Sequence, residues 1–201
     1  MSKAAEAAEA TAPANAMISR AIEVGADLFS ERGYHATTTR DLSRALGVTN
    51  GTFYHYFPSK ELLLLKICKQ AVGGMIETVS RALEGTTPSR EQILALIEAH
   101  QGTRQSNRRL YLTMLIEQRA LSEENMVDLE QMKDAYRDLV TRVLHDAQEG
   151  GIMRTDLSAD TLTLGLLNLV NYAMFRTRDQ SERVMDAETL CTIFLDGAAP
   201  R

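Results

Sequence analysis

The sequence predicts an all-α fold. Apolar residues recur three and four positions apart over most of the chain, as they do along one face of a helix. Glycine, proline and Ser or Thr residues stand where one such run stops and the next begins, and no segment alternates apolar and polar residues as a half-buried strand does. The 201 residues, of which 44% are hydrophobic, suffice for one or two domains with a substantial core.

The chain begins with two segments of different character. Residues 1–16 are rich in alanine, lack large apolar side chains beyond Met1 and contain Pro13, so we expect a disordered arm there. The first helix is predicted over 17–32, because apolar residues keep helical spacing in that segment and Gly33 follows it. These apolar residues are Ile18, Ile22, Ala26 and Phe29.

Residues 37–60 predict two short helices joined by a sharp turn, a helix-turn-helix. The first helix is expected to begin at Thr39, whose hydroxyl can cap free backbone N–H groups, and to end at Gly47. Its inward-facing apolar residues are Leu42, Ala45 and Leu46. The second helix follows at once.

This second helix is about two turns long, and its exposed face is unusual. Thr49 is its expected cap, and Pro58 prevents its continuation. Phe53 and Phe57 point inward. The outward positions hold donors, acceptors and planar rings where a solvated face normally carries Glu and Lys: Asn50, Gly51, Thr52, Tyr54, His55 and Tyr56. Such a face suits the major groove of DNA.

The run from Ile22 to Leu65 resembles the DNA-binding domain of the TetR family of transcriptional regulators. The matching segments are ADLFSERGYHATTTRDLSRALGV and TNGTFYHYFPSKELL. The resemblance implies that Thr39 and Arg40 contact phosphates or bases, and that residues 49–52 lie nearest the base edges. It also implies that three side chains grip the DNA backbone: Tyr54, Tyr56 and Lys60.

The charge distribution favours DNA contact near the start of the chain. Residues 17–70 contain seven Lys or Arg and five Asp or Glu, a balance of +2. Because the net charge of the whole chain is −5, the other residues sum to −7. An acidic body with a mildly basic head directs phosphate contact to the head.

The remaining sequence predicts a larger helical domain. We place the DNA-binding domain at 17–62 and a ligand-binding and dimerisation domain at 63–201. A helix that opens at Ser59 and runs to residue 84 joins the two, and Gly73 and Gly74 mark either a bend or a crowded helix crossing in it. Further helices are predicted at 89–105, 108–121, 122–149, 158–177 and 186–195.

The last two helices are apolar nearly all round, in LTLGLLNLVNYAMF and ETLCTIFL. A helix without a polar face has to be covered on both sides. In the TetR family the two C-terminal helices pair with their copies as a four-helix bundle, so the resemblance implies a homodimer. A twofold dimer presents its recognition helices about 34–36 Å apart, which predicts a palindromic operator.

A small-molecule site is expected in the helical body, because bundles bind ligands between helices. The candidate side chains are His100, Arg104, Tyr111, Met114, Leu115, Gln118, Arg119, Asn168, Asn171, Tyr172 and Phe175. A purely structural alternative stays open, since such stripes are common in cores and Asn168 and Asn171 can satisfy each other across a dimer interface. The segment LNLVNYAMFRTRD resembles the C-terminal region of TetR-type regulators that respond to acyl-coenzyme A thioesters.

The sequence predicts no catalytic residues, no metal centre and no cofactor. It contains no nucleophile elbow, glycine-rich phosphate loop or HExxH motif. Cys68 and Cys191 lie on apolar helical faces without metal-ligand spacing. His145 and Glu149 lie four positions apart, and we interpret them as a solvated pair rather than as a metal site.

These patterns together predict a cytoplasmic, homodimeric repressor that an apolar or amphipathic small molecule releases from its operator. No apolar run reaches membrane-spanning length, and the N-terminal residues lack the features of a signal peptide. A second hypothesis stays open, namely a helical ligand-sequestering or partner-binding protein whose helix-turn-helix is vestigial.

Overall fold

The structure is a computed structural model that describes residues 3–175 and 185–198, and within those ranges the regular elements are all helical. The all-α prediction is therefore confirmed. A 3₁₀ turn at Gln118–Ala120 follows the sixth helix. The helices are α1 Lys3–Arg32, α2 Thr39–Leu46, α3 Asn50–Tyr56, α4 Lys60–Leu83, α5 Arg90–Ser106, α6 Arg108–Glu117, α7 Glu123–Glu149, α8 Ala159–Phe175 and α9 Ala187–Ala198.

The helices group into two compact units. The first unit holds the described residues up to 71 together with 107–130, and the second holds 72–106 together with the described residues from 131 onward. The sequence predicts a single boundary at residue 62, whereas α6 belongs to the first unit. Its side chains explain this grouping, because buried Thr113 donates to the Ala26 carbonyl of α1 at 3.2 Å and Arg109 pairs with Asp27 at 2.5 Å.

The first helix is longer than the sequence predicts. It begins at Lys3, so the segment expected to be a disordered arm is helical in the structure. Extending a helix costs far less than starting one, because only the first turn carries the nucleation penalty. Ala21, Ile22, Ala26 and Phe29 anchor the later part of α1 in the core. The alanine residues before them have the highest helix propensity and continue an existing helix, although Pro13 within it cannot donate a backbone hydrogen bond.

The core of the first unit leaves no room for a side chain at Gly25. A Cβ there would lie 3.0 Å from Leu63 Cδ2 and 3.0 Å from Ile67 Cδ1, and both side chains are fully buried. Gly25 therefore allows α1 to approach α4 closely. The glycines of α4 differ, since a Cβ at Gly74 would meet nothing within 4 Å and one at Gly73 would make an ordinary contact with Met132. Crowding therefore does not explain why they are glycines.

These two environments predict opposite effects of the same substitution. Gly25→Ala should lower the free energy of unfolding by about 1–2 kcal/mol, because the strain of overpacking exceeds the gain in helix propensity. Gly74→Ala should raise it by about 0.5–1 kcal/mol, because there only the propensity changes. Denaturant unfolding of both variants tests this. A stabilising effect at Gly25 would show that Leu63 and Ile67 can move aside.

The second unit is built around α5, α8 and α9, with the second part of α7 contributing to the same core. Arg90 at the start of α5 donates to the Glu188 carboxylate of α9 at 2.7 Å and to the Thr192 hydroxyl at 3.1 Å. Large apolar side chains nevertheless stay exposed on the last two helices, Leu164 at 55% and Ile193 at 48%. This is the surface that the sequence predicts to pair with a second subunit. None of the described helices combines the length and hydropathy that crossing a membrane requires.

Candidate functional site

The helix-turn-helix forms as predicted, with one correction at its start. The cap of α2 is Thr38 rather than Thr39, and it forms a capping box in which Thr38 accepts from the Asp41 backbone N–H and the Asp41 carboxylate accepts from the Thr38 N–H. The second correction concerns the buried face, because Ala45 is exposed and Ser43 is buried in its place. Gly47 ends the helix in the left-handed conformation, with φ of 71°, as predicted.

The recognition helix α3 is held from behind by two phenylalanines. Phe53 and Phe57 are both fully buried, and their ring centroids lie 5.6 Å apart. Thr49 caps the helix by accepting from the Thr52 backbone N–H at 3.1 Å, as predicted. On the other side, Tyr54 keeps 46% of its surface exposed. The short helix therefore turns its polar side to solvent because its apolar side is anchored in the core.

Hydrogen bonds order the outward side chains of α3. The Ser43 hydroxyl of α2 donates to Asn50 Oδ1 at 2.9 Å. The Tyr54 hydroxyl lies 3.3 Å from the Thr39 hydroxyl, and the hydroxyls of Thr49 and Thr52 are 2.9 Å apart. The outward face is thus a set of polar groups in defined positions, which is the arrangement that reads base edges and phosphates.

Lys60 has a structural role that the sequence did not indicate. Its Nζ donates to the carbonyl oxygens of Tyr34 and Thr37, each at 2.7 Å, and lies 4.1 Å from the centroid of the Tyr34 ring. Burial lowers the pKa of Lys60, and the Glu117 carboxylate partly offsets that. Two of its three N–H donors therefore fasten the start of α4 to the turn between α1 and α2.

We expect Lys60→Met to destabilise the protein by about 1.5–3 kcal/mol, because two carbonyl oxygens lose charge-assisted hydrogen bonds. The matched control is Lys66→Met, which removes an exposed lysine from the same helix and should change stability by less than about 0.5 kcal/mol. Denaturant unfolding at one salt concentration compares the two. Equal stabilities of the two variants would show that Lys60 does not hold this turn.

A second polar cluster is buried in the core of the second unit. His100 of α5 is 1% exposed, with Nδ1 2.6 Å from the Tyr136 hydroxyl of α7 and Nε2 3.3 Å from Asn171 Oδ1 of α8. Arg104, one turn later on α5, is also buried and donates to the Val170 carbonyl. Burial, reinforced by the Arg104 charge, lowers the pKa of His100 to about 3. This unit therefore holds a neutral imidazole and a guanidinium among apolar helices.

Comparison with known proteins identifies the family. Residues 21–67 match the model of bacterial regulatory proteins of the tetR family, and residues 86–175 match that of the tetracyclin repressor-like C-terminal domain. The solved structure of the TetR family transcriptional regulator PfmR from Thermus thermophilus is 30% identical, covers 88% of this chain and 95% of its own, and superposes with a TM-score of 0.77. This chain belongs to the TetR family of transcriptional regulators.

Two curated relatives bear on the kind of regulator. The HTH-type transcriptional repressor KstR2 of Rhodococcus jostii is 25% identical over 181 residues, which are 89% of each chain. The fatty acid metabolism regulator protein of Bacillus subtilis is 22% identical over 136 residues, 68% of this chain and 70% of its own. As a TetR-family member, this chain is a dimeric, ligand-responsive DNA-binding regulator and not an enzyme.

The structure gathers the residues predicted to touch DNA on α2, α3 and the start of α4. Arg40 and His55 are exposed, and Thr39 and Tyr56 are half-buried. His55 packs edge-on against Tyr56, with ring centroids 5.2 Å apart. Gly51 and Thr52 are exposed beside the half-buried Asn50.

The predicted effector residues fall into both units. The second unit brings together His100, Arg104 and Asn171, and Asn168 is exposed on the same helix as Asn171. The side chains of Tyr172 and Phe175 lie outside the described residues. The remaining candidates belong to the first unit, with Tyr111 and Met114 buried, Leu115 and Gln118 half-buried and Arg119 exposed.

The pair His145 and Glu149 gains a third neighbour in the structure. Together with Asp146 they place one ligand atom each within 4.8 Å of one another, and all three side chains are exposed. The interpretation of His145 and Glu149 as a solvated pair stays a prediction.

Two polar residues of these sites were not predicted from the sequence. Ser43 stands between Leu42 and Leu46 on the buried stripe of α2, and a lone hydroxyl on such a stripe signals a buried partner. Tyr136 lies four positions before Val140 and seven positions before Val143, on the buried face of α7. The same reasoning applies to its hydroxyl, whose partner proves to be His100.

Proposed function

We propose that this protein is a repressor that binds a palindromic operator through α3 and leaves it when an amphipathic acyl compound binds the second unit. The observation that carries the proposal is the ordered polar face of α3, fixed over two fully buried phenylalanines. A regulator of this kind works in the cytoplasm. Repression is favoured by the relation to KstR2, which is named a repressor.

The DNA contacts divide by chemistry. Groups nearest the base edges are Asn50, Gly51 and Thr52, on the first turn of α3. Phosphate contacts come from the flanking side chains, including the third N–H of Lys60. The complete proposed set is Thr39, Arg40, Thr49, Asn50, Gly51, Thr52, Tyr54, His55, Tyr56 and Lys60.

The effector site centres on the buried polar cluster of the second unit. His100, Arg104 and Asn171 supply a neutral imidazole, a cation and an amide among apolar side chains, which suits a ligand with a long apolar part and one polar or anionic end. The B. subtilis relative is named for fatty acid metabolism, which favours an acyl chain as the apolar part. The ligand releases DNA only to the extent that it prefers one conformation of the dimer. It has to bind the conformation that does not fit the operator more tightly than the conformation that does.

Fluorescence anisotropy tests both halves of the proposal. The probe is duplex DNA from upstream of the protein's own gene, titrated with a series of acyl-coenzyme A thioesters and the matching free fatty acids. We expect tight binding without a ligand and release by at least one chain length. Binding that no compound in either series relieves would overturn the acyl assignment, and equal binding to a random duplex would overturn the regulatory one.

Arg104→Met should raise the thioester concentration needed for half-release about tenfold, because the polar end of the ligand loses a cation. The matched control is Arg142→Met, which removes an exposed arginine of α7 in the same unit. If both variants responded like the wild type, the ligand would not engage the buried cluster.

A further inference from the structure

The buried hydroxyl of Ser43 connects α2 with the first residue of the recognition helix. Ser43 is 4% exposed and lies among the apolar residues of α2 that face the core. Its Oγ is 2.8 Å from the Thr39 carbonyl oxygen and 2.9 Å from Asn50 Oδ1. Asn50 begins α3 and is half-buried. One side of the Asn50 amide is thus occupied by the protein itself.

This contact decides what Asn50 can offer to DNA. An asparagine side chain has an acceptor end and a donor end, and its last torsion is broad and nearly twofold. A hydroxyl has one proton, so Ser43 shares it between the Thr39 carbonyl oxygen and Asn50 Oδ1. The contact turns Oδ1 towards Ser43, and the Nδ2 hydrogens lie on the side of the amide that remains for a base. A freely turning amide can present either end to a base, whereas an amide whose oxygen faces Ser43 presents its Nδ2 donors first.

The hydrogen bond that orients Asn50 is one of several that order the outward face of α3. The hydroxyls of Thr39 and Tyr54 lie 3.3 Å apart, and those of Thr49 and Thr52 lie 2.9 Å apart. Side chains that are already ordered lose less conformational freedom on binding, and they penalise bases that do not match their fixed geometry. Ser43 differs from these residues because it is buried and acts only through Asn50.

We propose that Ser43 is a positioning residue for sequence discrimination, which holds the Asn50 amide so that it donates to a base acceptor in the major groove. Such acceptors are guanine O6 and N7, thymine O4 and adenine N7. The inference rests on the proposed contact between α3 and the base edges.

Selection from a randomised duplex library tests this even though the operator sequence is not defined. The proteins compared are the wild type, Ser43→Ala, Asn50→Ala and the double variant, all at one salt concentration. The two single variants should relax the base preference at the same symmetry-related position of the selected palindrome. At that position each should lose about tenfold in discrimination, and the double variant should lose no more than either one.

The variants Ser43→Thr and Ser43→Val separate positioning from packing. Threonine and valine have the same shape, but only threonine keeps the hydroxyl, so the preference should survive in Ser43→Thr and relax in Ser43→Val. Ser30→Ala is a further control, because it removes an exposed hydroxyl that donates to the Asp27 carbonyl within α1. Thermal unfolding of every variant is measured alongside.

Two results would overturn the role of Ser43. One is a Ser43→Ala protein that selects the same bases as stringently as the wild type, and the other is equal selectivity of the threonine and valine variants. A wild-type protein that selects no palindrome at all would instead overturn the proposed function. The two failures are therefore distinguishable.

Discussion

Phe53→Ala should lower the free energy of unfolding by about 3–5 kcal/mol and abolish operator binding. Phe53 is fully buried, and its ring packs against Phe57 at a centroid distance of 5.6 Å. Alanine leaves a cavity that a helix of only seven residues cannot close by itself, so both the apolar burial and the surrounding contacts are lost. Urea unfolding and anisotropy with operator DNA measure the two effects.

The matched variants are Phe53→Leu and Tyr54→Phe. Leucine keeps much of the buried volume, so Phe53→Leu should cost clearly less than the alanine variant. Tyr54→Phe removes one exposed hydroxyl near Thr39 and should weaken DNA binding while changing stability by less than about 0.5 kcal/mol. If Phe53→Ala changed stability as little as Tyr54→Phe, the phenylalanine would not anchor the helix.

The buried His100 should make the second unit sensitive to acid. The pKa of His100 is lowered from 6.5 to about 3 in the folded protein, first by burial and then by the Arg104 charge. Between these values the unfolded chain binds a proton that the folded chain does not, so stability rises with pH. The stability contributed by a neutral His100 is complete above pH 6.5 and is lost at about 1.4 kcal/mol per pH unit as the pH falls towards 3.

Unfolding free energies measured across this range for the wild type and for His100→Gln test the prediction. The glutamine can keep a hydrogen bond but cannot take up a proton near neutral pH. The slope of its free energy of unfolding against pH should therefore be smaller, by the equivalent of about one bound proton. His145→Gln, which removes an exposed histidine of the same unit, is the control and should follow the wild-type curve. Parallel curves for His100→Gln and the wild type would mean that the pKa of His100 is not lowered in the folded protein.

The helices follow closely from the sequence because their ends are encoded locally. Gly47 and Thr49 mark the turn before α3, and the structure uses them as expected. The predicted helices at 89–105 and 122–149 agree within one residue with α5, Arg90–Ser106, and with α7, Glu123–Glu149. Local caps and apolar spacing are enough for such predictions.

The features that the sequence could not predict depend on partners far apart in the chain. The sequence predicts only a phosphate contact for Lys60, because its bonds to Tyr34 and Thr37 join residues more than twenty positions away. The same limit applies to the contact between His100 and Tyr136, which belong to different helices. Three consecutive threonines explain the error at the start of α2, since each can serve as a cap and only the Asp41 contact selects Thr38.

We propose that the outward face of α3 recognises a DNA sequence. The most direct measurement is the affinity of the purified dimer for the palindrome it selects, relative to a shuffled duplex, at physiological salt and without effector. We expect a ratio of about 10³ or more, and a marked fall in that ratio for Asn50→Ala and Thr52→Ala. Comparable affinities for the two duplexes would contradict the claim and favour a helical ligand-binding protein whose helix-turn-helix no longer reads DNA.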